Sequence, residues 1–91
     1  MNKHEKLTDK IYKELKDLPG VEWIKKNVEY KKGECDVLVY VFGNPIYYEV
    51  KSNHHPKAYK KGTEQIKRWR KFTNYKGVGV YWTPTYSETF Y

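Results

Sequence analysis

Residues 33–51 constrain the fold more than any other stretch. Gly33-Glu34-Cys35-Asp36-Val37 leads into a run of β-branched and aromatic residues over 37–42. Gly43-Asn44-Pro45 interrupts that run, and the segment closes on Tyr48-Glu49-Val50-Lys51. Strand formers that stop at a Gly-Asn-Pro cluster and then resume predict two strands joined by a hairpin, with the turn at 43–45. Side chains alternate across a strand, so Glu49 and Lys51 share one face while Ile46, Tyr48 and Val50 take the other. In the expected register Asp36, at the start of the preceding strand, lies beside them.

Carboxylate oxygens from two strands suit a hard divalent cation such as Mg2+ or Mn2+, which is held by few carboxylates and several waters. Such a cation polarises a phosphoryl oxygen and acidifies a bound water. A neighbouring ammonium orients that water or stabilises charge growing on the phosphate. Asp, then Glu-x-Lys on the next strand, therefore describes a site for phosphodiester hydrolysis. The same residues would also serve as an ordinary ion pair on a solvated strand face.

Charge decides which partner such a face would meet. Eighteen Lys and Arg against eleven Asp and Glu give a formal net charge of +7, an excess that favours a polyanion, nucleic acid above all. A membrane surface is the rival partner and is not expected: no basic amphipathic helix dominates, and no apolar run approaches the roughly 18 residues of a span. The chain has 91 residues, 38% hydrophobic and 18% aromatic, which suits one domain over 1–91 with a modest core rather than a disordered chain. Ten Tyr and three Trp supply much of the buriable surface. The single Cys excludes an intrachain disulfide framework and a Cys-based zinc site. Met1-Asn2-Lys3-His4 carries no apolar signal region, and an intracellular, cytoplasmic protein is expected.

Along the chain, residues 3–18 predict a helix, because Leu7, Ile11, Leu15 and Leu18 form one stripe and Pro19-Gly20 ends it. Residues 21–30 predict a first strand, with a bulge or register shift at Lys25-Lys26-Asn27, where alternation fails. Lys31-Lys32-Gly33 is a turn whose lysines either solubilise it or meet phosphate. Ser52-Asn53-His54-His55-Pro56 is a polar loop; its adjacent histidines are expected to point apart, and no third ligand of zinc type follows at a helical spacing. Lys57, Lys60 and Lys61, interleaved with Tyr59, continue this loop either as a segment that binds phosphates and stacks on a base or as solvated surface. Residues 63–75 predict a second helix capped by Thr63. Gln65, Trp69 and Phe72 face the sheet, with Ile66 and Thr73 alongside, while Lys67, Arg68, Arg70 and Lys71 make a basic surface. A turn at 74–77 precedes a last strand in which Val78, Val80 and Trp82 alternate with Gly79 and Tyr81. That strand is expected parallel to the Glu49 strand. Residues 85–91 form a polar, aromatic tail that packs on the domain, pairs with a second subunit or frays.

These acids and this lysine resemble the PD-(D/E)xK nuclease superfamily. Asp36 matches its first acid, Glu49 its second and Lys51 its lysine; Cys35 stands where the family name has Pro, and Gly33-Glu34-Cys35-Asp36 has the Gly-Glu-x-Asp form common there. The predicted order αβββαβ is also that of the superfamily core, so the resemblance covers nearly the whole chain and leaves only the tail outside. It looks closest to archaeal Holliday-junction resolvase-like and virus-type small nucleases. The resemblance implies an α/β, restriction-endonuclease-like core with a central mixed sheet flanked by two helices. It implies a DNA endonuclease dependent on Mg2+ or Mn2+, selective for DNA structure and acting as a homodimer, for which Tyr86, Phe90 and Tyr91 are candidate interface residues. It assigns Asp36, Glu49, Lys51 and Gln65 to catalysis and places the metal on Asp36, Glu49 and the Val50 carbonyl. Further metal or outer-shell contacts fall to Glu34 and to a first-helix Glu, Glu5 ahead of Glu14. Nucleic-acid contacts fall to Lys32, Lys57, Lys60, Lys61, Lys67, Arg68, Arg70 and Lys71. Two other readings stay open: a nucleic-acid-binding module of the same fold that does not cleave, and an assembly or inhibitor protein whose basic face meets an acidic partner.

Overall fold

The computed structural model describes residues 2–74 and 76–91. Met1, part of the start read for a signal region, and Tyr75, the expected helix end and part of the expected 74–77 turn, lie outside them. Along the chain run α1 (Lys3–Lys16), β1 (Val21–Tyr30), β2 (Gly33–Val41), β3 (Asn44–Val50), α2 (Pro56–Phe72), β4 (Val78–Trp82) and β5 (Ser87–Phe90). The strands form one mixed sheet in the order β1-β2-β3-β4-β5. Among the described residues, only the β3–β4 neighbours are parallel; the other pairs are antiparallel. Among the described residues, no helix is long and apolar enough to cross a membrane.

One helix covers each face of this α/β sheet. Tyr47 packs with Ile66 and Trp69 of α2, whereas Tyr48 and Val50 pack with Ile11 of α1. Neighbours on a strand point to opposite faces, so the helices lie on opposite sides. Each core holds fully buried residues: Tyr47, Ile66, Tyr81 and Cys35 under α2, Val37 and Val50 under α1.

Several boundaries differ from the sequence expectation for identifiable reasons. α1 ends at Lys16 with Asp17 as its C-cap, which leaves Leu18 off the helix and 51% exposed; Gly20, at φ 84°, turns the chain toward β1. The β2–β3 turn is Phe42-Gly43, both at positive φ (51° and 78°), a pairing of signs that matches the strand twist in a two-residue hairpin. Asn44 and Pro45 therefore belong to β3. Pro45 precedes Ile46, the first β3 residue to pair with β4, so its missing N–H removes no bond from that ladder. In β1 the register shift falls between Val21 and Trp23; at Lys25-Lys26-Asn27 the pairing stays in step, and Asn27 instead turns left-handed at φ 55°.

α2 begins at Pro56, seven residues before Thr63. The His55 side chain accepts the Lys57 N–H as N-cap, and Pro sits at N1, where its fixed φ suits a helix start. Thr63 lies inside the helix with its hydroxyl donating back to the carbonyls of Tyr59 and Lys60. Phe72 ends the helix 51% exposed rather than on the sheet. The tail packs on the domain as β5, with Phe90 against the α2-side core. Of the three aromatics expected at an interface, Phe90 is thus partly buried, while Tyr91 is 91% exposed.

Candidate functional site

The site forms where β2 and β3 part. Their pairing runs from Val41↔Asn44 to Val37↔Tyr48. Cys35 and Val37, two apart on β2, lie in opposite cores, so the strand's alternation breaks at Asp36 between them. β1 makes a matching switch across Asn27, with Ile24 on the α1 side and Val28 and Tyr30 on the α2 side. This twist of both strands brings Asp36 into the fork, 6% exposed, where its Oδ2 accepts the Val50 N–H at 2.8 Å.

Glu49 points into the same fork and is 2% exposed. Its carboxyl is pushed up to about 8, first by burial, then by the negative charge of Asp36 and a hydrogen bond shared with it; the Tyr47 hydroxyl and the Lys51 ammonium pull the other way. The Tyr47 hydroxyl donates to Glu49 Oε2, and Lys51 Nζ lies 3.5 Å from Oε1. Lys51 Nζ also donates to Gln65 Oε1 at 3.0 Å, which ties the sheet to α2. The Lys51 main chain is anchored separately, its N–H donating to the Trp82 carbonyl at 2.9 Å. Asp36, Glu49, Lys51 and Gln65 thus converge. Burial and the charge of Asp36 disfavour the ionised form of Glu49, a penalty that a bound cation would relieve.

Sequence reasoning missed two side chains here. His4 Nε2 lies 3.0 Å from the Val50 carbonyl and 3.4 Å from Asp36 Oδ1. A carbonyl only accepts, so Nε2 carries the proton in this contact. The signal for it was spacing: His4, Leu7 and Ile11 fall on the stripe that packs against the sheet. Tyr47 was equally visible by parity, two residues before Glu49 on the same strand face.

The remaining expected residues spread around this centre. Glu5 is exposed and bonded to the N-cap Asn2; Glu14 is exposed on the same helix. Glu5 and Glu34 both line a cleft of about 420 Å³ together with His4, Thr8, Asp9 and Lys26. So Glu5 stands at the rim, and His4 is the α1 residue that reaches Asp36. Lys57, Lys60, Lys61, Lys67, Arg68 and Lys71 are exposed on α2. Because α2 starts at Pro56, the first three belong to this helix rather than to a loop, and Lys61, Gln65 and Arg68 follow i, i+4, i+7 along one line. Arg70 Nη1 donates to the Phe90 carbonyl at 3.3 Å and so holds β5, while Lys32 Nζ lies over the Phe72 ring. His54 and His55 have separate tasks: His55 caps α2, and His54 stacks on Tyr86.

Among the described residues, no three His, Cys, Asp or Glu side chains form a group able to hold a metal ion. The candidate donors are two carboxylates and the Val50 carbonyl. Comparison with protein-family models, with curated proteins and with solved structures finds no match to this chain.

Proposed function

We propose that the protein is a divalent-metal-dependent nuclease of the PD-(D/E)xK kind that hydrolyses DNA phosphodiester bonds. The observation that carries this reading is the meeting of Asp36 and Glu49 at the β2–β3 fork with Lys51 hydrogen-bonded to Gln65 beside them. The order of elements from α1 to β4 is the one the superfamily core requires.

The donor set suits Mg2+ or Mn2+. Asp36 and Glu49 would supply hard oxygen ligands, the Val50 carbonyl keeps a second lone pair beyond the one that His4 takes, and water would complete such a shell. When bound, the ion acidifies a water and polarises the phosphate. With an ion bound, Glu49 would be held as the carboxylate, its proton released to solvent, and Tyr47 would still donate to it. Lys51 presents its ammonium to the attacking water and to the phosphoryl oxygens. Gln65 fixes the ammonium through its amide oxygen and keeps two N–H donors for water or phosphate. His4 holds the Val50 carbonyl in place. The basic line on α2 carries the DNA backbone, and a homodimer would place two such sites on one duplex.

One observation favours the runner-up, a binding module that does not cleave. Tyr47, Glu49, Lys51 and Gln65 are joined in one chain of polar contacts, the arrangement that a purely structural network on this fold would also have. Assay of supercoiled, linear, single-stranded and four-way-junction DNA with Mg2+ or Mn2+ separates the two. Cleavage that is lost in Asp36→Ala and Lys51→Ala supports the nuclease; salt-sensitive DNA binding with no cleavage of any substrate leaves the binding module.

A further inference from the structure

Beside the candidate site lies a second feature that the hydrolytic reading does not use. The loop after Lys51 places His54 face to face with Tyr86, ring centroids 4.0 Å apart and planes 19° from parallel. Tyr59 meets the same imidazole edge-on at 5.4 Å. His54, Pro56, Tyr59 and Tyr86 line a cleft of about 270 Å³, so every lining residue contributes a ring. Both tyrosine hydroxyls are engaged elsewhere: Tyr59 and Tyr86 each donate to Glu88 Oε2 at 2.8 Å. Glu88 does not line the cleft, and its hydrogen bonds hold the two phenols neutral and fixed in orientation.

The cleft is coupled to the site through the sheet. Glu49 pairs with Tyr81 across β3–β4. The Tyr81 hydroxyl reaches His54 Nδ1 and the Asn53 carbonyl, each at 3.4 Å. His54 lies three steps along the chain from Lys51, a stretch that an extended chain spans in at most about 10 Å. That is roughly three stacked base steps at about 3.4 Å each. Lys57, Lys60 and Lys61 stand exposed on the first turns of the helix that Pro56 opens.

We infer that this ring-lined cleft receives one unpaired base of a DNA strand whose backbone passes Lys51. The inference rests on the proposed reading of the Asp36–Glu49 site as the place where a DNA backbone sits. Stacking on rings is tolerant of base identity, because every base has a π-face. A duplex keeps its bases stacked on each other, so only a single strand, a frayed end or a branch point offers one. The substrate class is therefore DNA with an unpaired segment within a few nucleotides of the cut.

The test uses a single-stranded deoxyoligonucleotide carrying 2-aminopurine, and the matching duplex, in EDTA so that nothing is cut. Fluorescence quenching reports stacking and anisotropy reports affinity. Wild type should bind the single strand with quenching. His54→Ala and Tyr86→Ala should each lose about tenfold in single-strand affinity, within what one base–aromatic stack is worth. The salt slope and duplex affinity should be unchanged, and Tyr86→Phe, which keeps the ring, should bind as wild type does. His54 is exposed, so His54→Ala serves as the main variant if Tyr86→Ala unfolds by circular dichroism. Equal single-strand affinity in wild type and His54→Ala, or quenching that survives His54→Ala, overturns the inference. The two readings fail separately: quenching lost in His54→Ala without cleavage of any substrate keeps this cleft and removes the nuclease, whereas cleavage with unchanged stacking does the reverse.

Discussion

Lys51 Nζ donates to the Gln65 amide oxygen at 3.0 Å, and through that bond a strand-end residue and a helix residue fourteen positions apart act as one unit. In Gln65→Leu the ammonium loses its fixed partner but keeps its charge. A hydrogen bond to a charged group is worth about 1.5–3 kcal/mol, so the cleavage rate should fall by roughly ten- to a hundredfold. Thermal stability should change little, because Gln65 is only half-buried. Single-turnover kinetics on the best substrate of the panel measure the loss. A rate equal to wild type would separate Gln65 from the reaction.

Gly62 explains how α2 comes close enough for that bond. A Cβ at this position would lie 2.7 Å from the Tyr81 ring and 3.5 Å from Lys51 Cε. Tyr81 is fully buried and has no room to withdraw. Helix propensity alone would make Gly62→Ala stabilising by about 1 kcal/mol. Overpacking costs about 1–3 kcal/mol and opposes it. The steric effect should win, lowering the melting temperature and slowing cleavage by displacing Lys51 and Gln65 together. A Gly62→Ala protein that melts higher than wild type would show that the helix has slack here.

The pair Asp36–Glu49 makes stability depend on pH in a definite direction. With no cation bound, the Glu49 carboxyl is raised from 4.5 to about 8, chiefly by burial and then by Asp36. Between those values the native state holds a proton that the unfolded chain has released, so stability falls as pH rises through the window and is fully present only below 4.5. Melts in EDTA should therefore drop progressively from mildly acidic pH toward pH 8. Glu49→Gln, neutral at every pH, should flatten that slope. Mg2+ should act oppositely, raising the wild-type melting temperature most at the alkaline end, where Glu49 is already ionised. A slope identical in wild type and Glu49→Gln would place the titration elsewhere.

The carboxylate–lysine relationship was legible in the chain because a strand has period two. Glu49 and Lys51 had to share a face, and Asp36, just ahead of the apolar run that opens at Val37, had to lie near the far end of the partner strand. What was not legible came from backbone that departs from regular periods. Asp36 enters the fork only because β2 loses its alternation there, and Asn27 turns left-handed in a stretch of β1 whose pairing stays in step on either side. Phe42 at φ 51° shifts the hairpin turn by one residue, since a bulky side chain at positive φ is not what a turn propensity expects. The sequence places the start of α2 too late because Thr63 is a good N-cap in isolation, while His55 is an unusual one that Pro56 makes effective. His4 carried a helix-stripe signal but no chemistry of its own until Val50 and Asp36 were beside it. β5, Ser87-Glu88-Thr89-Phe90, has too little apolar alternation to announce itself; Arg70 and Phe90 hold it from the helix side.

Along the basic line on α2 the helical register decides which cations can share one DNA backbone. Lys61 and Arg68 flank Gln65 at i−4 and i+3, so under the proposed function phosphates contacted by them would lie on either side of the bond that Lys51 and Gln65 address. Lys61→Ala should therefore weaken DNA binding at every sequence and reduce the slope of log affinity against log salt by about 0.9 for a duplex contact, or about 0.7 for a single strand. Arg70, whose guanidinium holds the Phe90 carbonyl, makes the contrasting control. Arg70→Ala should cost stability through β5 and, because this side chain is turned to Phe90 rather than to DNA, leave the salt slope near that of wild type. Titrations by anisotropy at several salt concentrations measure both quantities on the same samples. If Arg70→Ala changed the slope and Lys61→Ala did not, the DNA backbone would run along the β5 side of α2 rather than over Gln65, and the path proposed from Lys51 to the His54 cleft would have to be redrawn.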